Sequence, residues 1–175
     1  YAGAEILSRD LVNEPANKLA PADLAAVSLN LAAENNISCL VLEEQDVAKL
    51  GMGAYLGVSQ GGERPLKFIH MTYQGDAGSL DNNIWLIGKG ITFDSGGISL
   101  KPGLGMGKMK GDMGGGASVI AAIQAISQLK PKINVHVVCA ATDNMPGGSA
   151  QRPGDVVTAM NGMTIEIDNT DAEGR

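Results

Sequence analysis

The stretch over residues 133–141, Ile-Asn-Val-His-Val-Val-Cys-Ala-Ala, is almost continuously apolar and rich in β-branched residues. A strand of that composition reads as a central parallel strand buried on both faces, which needs other elements packed above and below it. That requirement restricts the chain to layered architectures in which helices cover a sheet.

The remaining segments alternate in the way such a domain demands. Residues 4–12 have helical spacing of Ile6, Leu7 and Leu11, and Pro15 ends that helix. A second helix starts at Pro21, in the first turn where proline is tolerated, and runs to residue 33 with Leu24, Val27 and Leu31 on one stripe. Residues 37–42 read as a strand, 43–50 as a short helix closed by Gly51, and 55–59 as a strand before a Gly61-Gly62 turn. Strands are also expected at 66–73 and 84–88, joined by a polar, turn-rich connection over 75–83. The most pronounced helix spans 117–129, apolar on Val119, Ile120, Ile123 and Ile126. After a long loop over 142–155, segments 156–160 and 163–167 form a hairpin across Asn161-Gly162.

The chain's 24 glycines concentrate between residues 88 and 116, which marks that stretch as backbone in close approach. It carries Lys89, Asp94, Lys101 and Asp112, in a loop expected to follow the 84–88 strand. In open α/β sheets, chemistry sits at such carboxyl ends. The last seven residues, Asn169-Thr170-Asp171-Ala172-Glu173-Gly174-Arg175, add two more acids and a guanidinium. In extended form, Asp171, Glu173 and Arg175 point the same way. Neighbouring carboxylates repel unless a cation lies between them, so the pattern suggests a metal site with an anion-holding arginine at its rim.

Both halves together resemble the leucine aminopeptidase (cytosol aminopeptidase) family of dinuclear metallo-exopeptidases. The terminal heptapeptide matches that family's signature, and Lys89, Asp94, Lys101 and Asp112 fall at the family's spacing. The stretches 13–18 and 152–155 extend the likeness over nearly the whole chain. The resemblance implies that this is a single domain, residues 1–175, forming the N-terminal part of a longer catalytic domain. It further implies two divalent ions, Zn²⁺ or Mn²⁺, bridged by Asp94 and Glu173. Lys89 and Asp112 would complete one site, and Asp171 with its own carbonyl the other; the four acids offset the charge of two dications. Lys89 would have to bind as a neutral amine. Lys101 would stabilise an oxyanion, Arg175 would hold a bicarbonate that shuttles a proton, and Met109 and Asn169 would face the substrate. Family members assemble as homo-hexamers.

A net charge of −6 with scattered basic residues argues against a nucleic-acid surface. No apolar run is long enough to span a bilayer, and no export signal opens the chain. Cys39 and Cys139, both in apolar runs, are expected as reduced thiols in a cytoplasmic setting. Gly114-Gly115-Gly116 could cradle a phosphate, but no Lys-Ser/Thr pair follows. His70 and His136 read as packing residues, and Asp143, Asp155 and Asp168 as turn or capping acids. The expected fold is a three-layer α/β/α domain with a mixed, mainly parallel sheet. The expected function is a metallo-aminopeptidase acting on N-terminal apolar residues of peptides. The alternatives are a non-catalytic scaffold that keeps the fold, or a two-metal phosphate-ester hydrolase.

Overall fold

The computed structural model describes residues 1–79 and 81–175, so the connection over 75–83 contains one position, Leu80, outside the described residues. Its helices are α1 (Ala2–Asn13), α2 (Pro21–Asn35), α3 (Glu44–Lys49), α4 (Gly53–Ser59) and α5 (Gly114–Leu129), with a 3-10 helix at Met106–Gly111. Its strands are β1 (Ser38–Leu42), β2 (Lys67–Gln74), β3 (Asn83–Asp94), β4 (Asn134–Asn144), β5 (Val156–Thr158) and β6 (Thr164–Glu166).

The main sheet has the order β1-β2-β4-β3 and is mixed, as expected for this α/β chain. Parallel pairing does not predominate in it, however. Only β3 and β4, joined through α5, run parallel, whereas β1 with β2 and β2 with β4 are antiparallel. The reason is connectivity: α5 supplies the crossover that parallel neighbours require.

Helices α1, α2 and α5 pack on one face, where Leu24, Ile69, Met71, Ile120, Ile123 and Val137 are fully buried in one cluster. Each such side chain contributes roughly 1.5–3 kcal/mol relative to exposure. The opposite face is covered only in part. There the Tyr55 hydroxyl of α4 donates to the Ala141 carbonyl at 2.8 Å, while Trp85 and Ile87 remain 55% and 77% exposed. Strand β4 is central but not doubly buried: Val135, Val137, Cys139 and Ala141 are buried and the alternate His136, Val138 and Ala140 are half-buried. Among the described residues, the third layer is therefore incomplete.

Three local expectations are corrected. Residues 55–59 are helical, because Ala54 and Val58, four apart, face one cleft and Gly57 packs against Gln151. Tyr and Val read as strand formers, but tertiary contact decides. Second, β3 continues six residues beyond Gly88, and α5 begins at Gly114, three residues earlier than the pattern indicated. A Cβ on Gly88 would stand 2.5 Å from the Gly115 carbonyl oxygen, and one on Gly116 would stand 2.6 Å from Cys139 Sγ. These glycines let a helix lie on a strand rather than forming a loop. Third, the hairpin turn is wider than two residues. Gly162 donates to the Ala159 carbonyl and Ala159 to the Met163 carbonyl, both at 2.8 Å. Gly162 takes φ 85° while Asn161 does not enter the left-handed region; this is a turn followed by a glycine bulge, not a two-residue connection.

Candidate metal centre

A one-residue irregularity in β3 sets the site. Ile91 pairs with Thr142 and Phe93 with Asp143, so Thr92 is the extra residue of a bulge. Lys89 and Asp94, five apart, would otherwise point to opposite faces; the bulge restores their parity, and they pair with Ala140 and Asn144, which share a face of β4. Thr92 is buried, and its hydroxyl donates to the Asp143 carboxylate and, at 3.3 Å, to the Thr142 carbonyl. Asp112 follows the 3-10 helix, its N–H donating to the Met109 carbonyl at 3.2 Å. The contact between Gly88 and Gly115 keeps this end of α5 against β3.

The last seven residues are a series of turns rather than an extended segment. The Asn169 Oδ1 accepts the Asp171 N–H at 2.8 Å, bending the chain locally. Thr170 then ties it to the loop after β3: its Oγ1 donates to the Gly96 carbonyl at 2.7 Å and accepts the Ser99 N–H at 2.8 Å. Gly96 and Gly97 adopt φ of 90° and 66° in that loop, a region favouring glycine.

These constraints bring the acids together. One oxygen from each of Asp94, Asp112 and Glu173 lies within 4.8 Å of the others, the metal-compatible group found among the described residues. Lys89 Nζ stands 2.7 Å from Asp112 Oδ2 and 2.5 Å from Glu173 Oε1. Lys101 Nζ is 2.9 Å from Asp94 Oδ2 and also bonds Asp171 Oδ1. Asp94 and Glu173 side chains are 3% and 2% exposed.

Two of these ion pairs are close without being aligned hydrogen bonds. Asp112 Oδ2 and Glu173 Oε1 are buried and have no hydrogen-bond donor in proper geometry. Distance alone gives them Coulombic attraction to Lys89, and each keeps an unsatisfied lone pair. With two lysines among four carboxylates, negative charge is in excess. Buried, undersatisfied oxygens from three segments meeting at one point suit a divalent cation, so Asp94, Asp112 and Glu173 fit a metal ion.

Burial and neighbouring charges act together on these groups. Burial pushes the Asp94 pKa up, but Lys101, the Gly96 N–H and Asn144 outweigh it and leave it lowered. Asp112 is raised, by burial first and by Asp94 and Glu173 in addition, against the opposing Lys89. Burial alone would lower the Lys89 pKa; Asp112 and Glu173 reverse that, so Lys89 is held protonated when only carboxylates surround it. Lys101 is likewise raised by Asp171 and Asp94 against burial. The neutral-amine role for Lys89 therefore requires cations to take over its carboxylate partners.

The other expected residues are more peripheral. Arg175, exposed, lies with Tyr55, Val58, Lys89, Thr142 and Glu173 along a cleft of about 410 Å³. Asn169 lines an adjoining cleft with Glu173 and Arg175. Met109 is half-buried in the 3-10 helix and meets the site through its backbone carbonyl. Asn144 was not anticipated. Its Nδ2 donates to Asp94 Oδ1 and to the Thr170 carbonyl, both at 2.9 Å, and reaches Glu173 Oε2 at 3.4 Å. The available signal was an amide ending an apolar strand. Cys39 and Cys139 are both free thiols, as expected.

Comparison with known proteins bears on the chain's family. Residues 6–175 match the family described as the cytosol aminopeptidase family, catalytic domain. A probable cytosol aminopeptidase of Gloeobacter violaceus is 52% identical over 174 residues, 99% of this chain and 34% of that protein. Another, from Solibacter usitatus, is 53% identical over 174 residues, covering 99% of this chain and 36% of the relative. The solved structure of the bottromycin maturation enzyme BotP in complex with Mn superposes with a TM-score of 0.92 at 41% identity, over 99% of this chain and 37% of that one. The chain thus spans about a third of the length of the curated relatives it matches. On the family match and these identities, the chain belongs to the cytosol aminopeptidase family, within its catalytic domain.

Proposed function

We propose that this chain carries the metal-binding part of a metallo-aminopeptidase that removes N-terminal residues, leucine and other apolar ones preferred, from peptides. The observation that supports it most is the convergence of Asp94, Asp112 and Glu173 oxygens within 4.8 Å. Two divalent ions, Zn²⁺ or Mn²⁺, would be held by Lys89, Asp94, Asp112, Asp171 and Glu173. When bound, such ions lower the pKa of water to about 7 and polarise the scissile carbonyl.

The chain's own groups supply the rest. Lys101, kept protonated by Asp171 and Asp94, presents a cation to negative charge developing on the carbonyl oxygen. Arg175, on the cleft, would hold a planar bicarbonate in its guanidinium fork, a group that would supply proton transfer when bound. Met109 and Asn169 would face the substrate, the thioether adapting to apolar side chains of varied size. Asn144 keeps Asp94 and Glu173 oriented.

A homo-hexamer in the cytoplasm is the assembly and setting in keeping with the family. Among the described residues, no helix is long and apolar enough to cross a membrane. The phosphate-ester reading is disfavoured because a phosphoryl group would need more cationic clamps than Lys101 and Arg175 supply. The scaffold reading is disfavoured because no expected ligand is lost. Hydrolysis of a leucine-anilide by the full-length protein, abolished by chelator and restored by Zn²⁺ or Mn²⁺, is the expected result. A rate indifferent to chelator would refute the proposal.

A further inference from the structure

On sequence alone His70 and His136 read as packing residues, but the sheet arranges them otherwise. His70 and Thr72 are two apart on β2, and His136 is the cross-strand partner of Thr72 on β4, so all three side chains share the face away from α5. His70 Nε2 and His136 Nδ1 are 3.2 Å apart, and Thr72 Oγ1 stands 3.4 Å and 3.2 Å from them respectively. Among the described residues all three are half-buried.

Three donors at these separations form a nearly equilateral triangle. His70 and His136 now meet head-on in a hydrogen bond, their ring centroids 5.4 Å apart. Tetrahedral ligands about 2.0–2.1 Å from a metal stand roughly 3.3 Å from one another, so an ion that displaces the shared proton contacts all three atoms once the two imidazoles tilt toward it, without moving the backbone. Trp85, the cross-strand partner of His136 on β3, fixes the ring planes. Its indole stacks on His136 at 4.2 Å and 13° and on His70 at 5.6 Å and 14°. Burial and the neighbouring His136 hold the His70 pKa below its ordinary value, which keeps a ring lone pair available.

We propose that His70, His136 and Thr72 form a second metal site, separate from the carboxylate centre, for an imidazole-preferring divalent cation such as Cu²⁺ or Zn²⁺. The two nitrogens and one hydroxyl leave a further coordination position for water or an external ligand.

Trp85 is this chain's sole tryptophan and His70 and His136 are its only two histidines, so differences between the wild type and variants at these positions report this site. The protein, loaded with Mn²⁺, is titrated with Cu²⁺ while Trp85 emission is followed, and the bound Cu²⁺ is examined by pulsed electron paramagnetic resonance for imidazole nitrogens. Saturable quenching and two coordinated imidazoles are expected. His70→Val and His136→Asn should each weaken the quenching affinity by about tenfold or more and leave one imidazole. Quenching unchanged in both variants, or Cu²⁺ bound without imidazole, overturns the proposal. If either variant misfolds, the wild-type imidazole spectrum decides.

Discussion

Replacing Asn144 by alanine removes a single buried amide and should cost far more than its size suggests. The side chain is 3% exposed, so water does not readily take its place. Its bond to Asp94 Oδ1 is charge-assisted, worth about 1.5–3 kcal/mol, and its bond to the Thr170 carbonyl is neutral, worth about 0.5–1.5 kcal/mol. The 3.4 Å approach to Glu173 adds little. Asp94 retains the Gly96 N–H and Lys101 after the change, which limits the loss to about 2–4 kcal/mol. With an m-value of about 1–3 kcal/mol/M, the urea midpoint followed by circular dichroism should fall by roughly 1–2 M at unchanged m. Asn144→Asp puts a carboxylate where the donor was, beside two acids. It should lose more than alanine without metal and recover part of the loss when Mn²⁺ is added. An alanine variant within about 0.3 M of wild type would refute the assignment of Asn144 as the hub of these carboxylates.

Asp94→Asn and Glu173→Gln should each abolish leucine-anilide turnover and lower metal content together, since each removes a carboxylate charge; near-normal kcat/KM in either variant contradicts the ligand set. Gly88→Ala drives a Cβ to 2.5 Å from the Gly115 carbonyl oxygen and should cost about 1–3 kcal/mol, read as a Tm lower by several degrees. An unchanged Tm would show that α5 can retreat freely. Burial pushes the Cys139 thiol up to about 12, so only about one in 10⁴ is ionised at pH 8, the thiolate share rising tenfold per pH unit. Ellman's reagent should therefore label Cys39 first and Cys139 only on unfolding, and rapid native labelling of both contradicts this packing.

Periodicity made β4 and α5 legible, because apolar runs and 3.6-residue stripes report burial directly. It failed where glycine replaced side chains. Gly90 lies in a strand and Gly114 to Gly116 open a helix, yet in the sequence they resemble a loop, since the cause of their presence is a neighbouring backbone. The convergence of Lys89, Asp94, Asp112 and Glu173 was anticipated from motif and charge. The means were not: a bulge at Thr92 and the turns pinned by Asn169 and Thr170 do what an extended strand was expected to do. Asn144 escaped notice because its role depends on three partners distant in sequence. The open sheet face around Trp85 was equally hidden, as alternation along β4 looks continuous when both faces carry apolar residues.

The most direct measurement is the number of Mn²⁺ ions bound per chain at equilibrium, by dialysis and elemental analysis, in the wild type and in Glu173→Gln. Mn²⁺ prefers oxygen and stands lowest in the divalent affinity series, so it reports the carboxylate centre rather than His70 and His136. About two ions per wild-type chain, with loss of both or of cooperative binding in the variant, is the expected result. A wild-type chain that holds no Mn²⁺, or a variant that binds it as fully as wild type, would contradict a metal centre built on Asp94, Asp112 and Glu173.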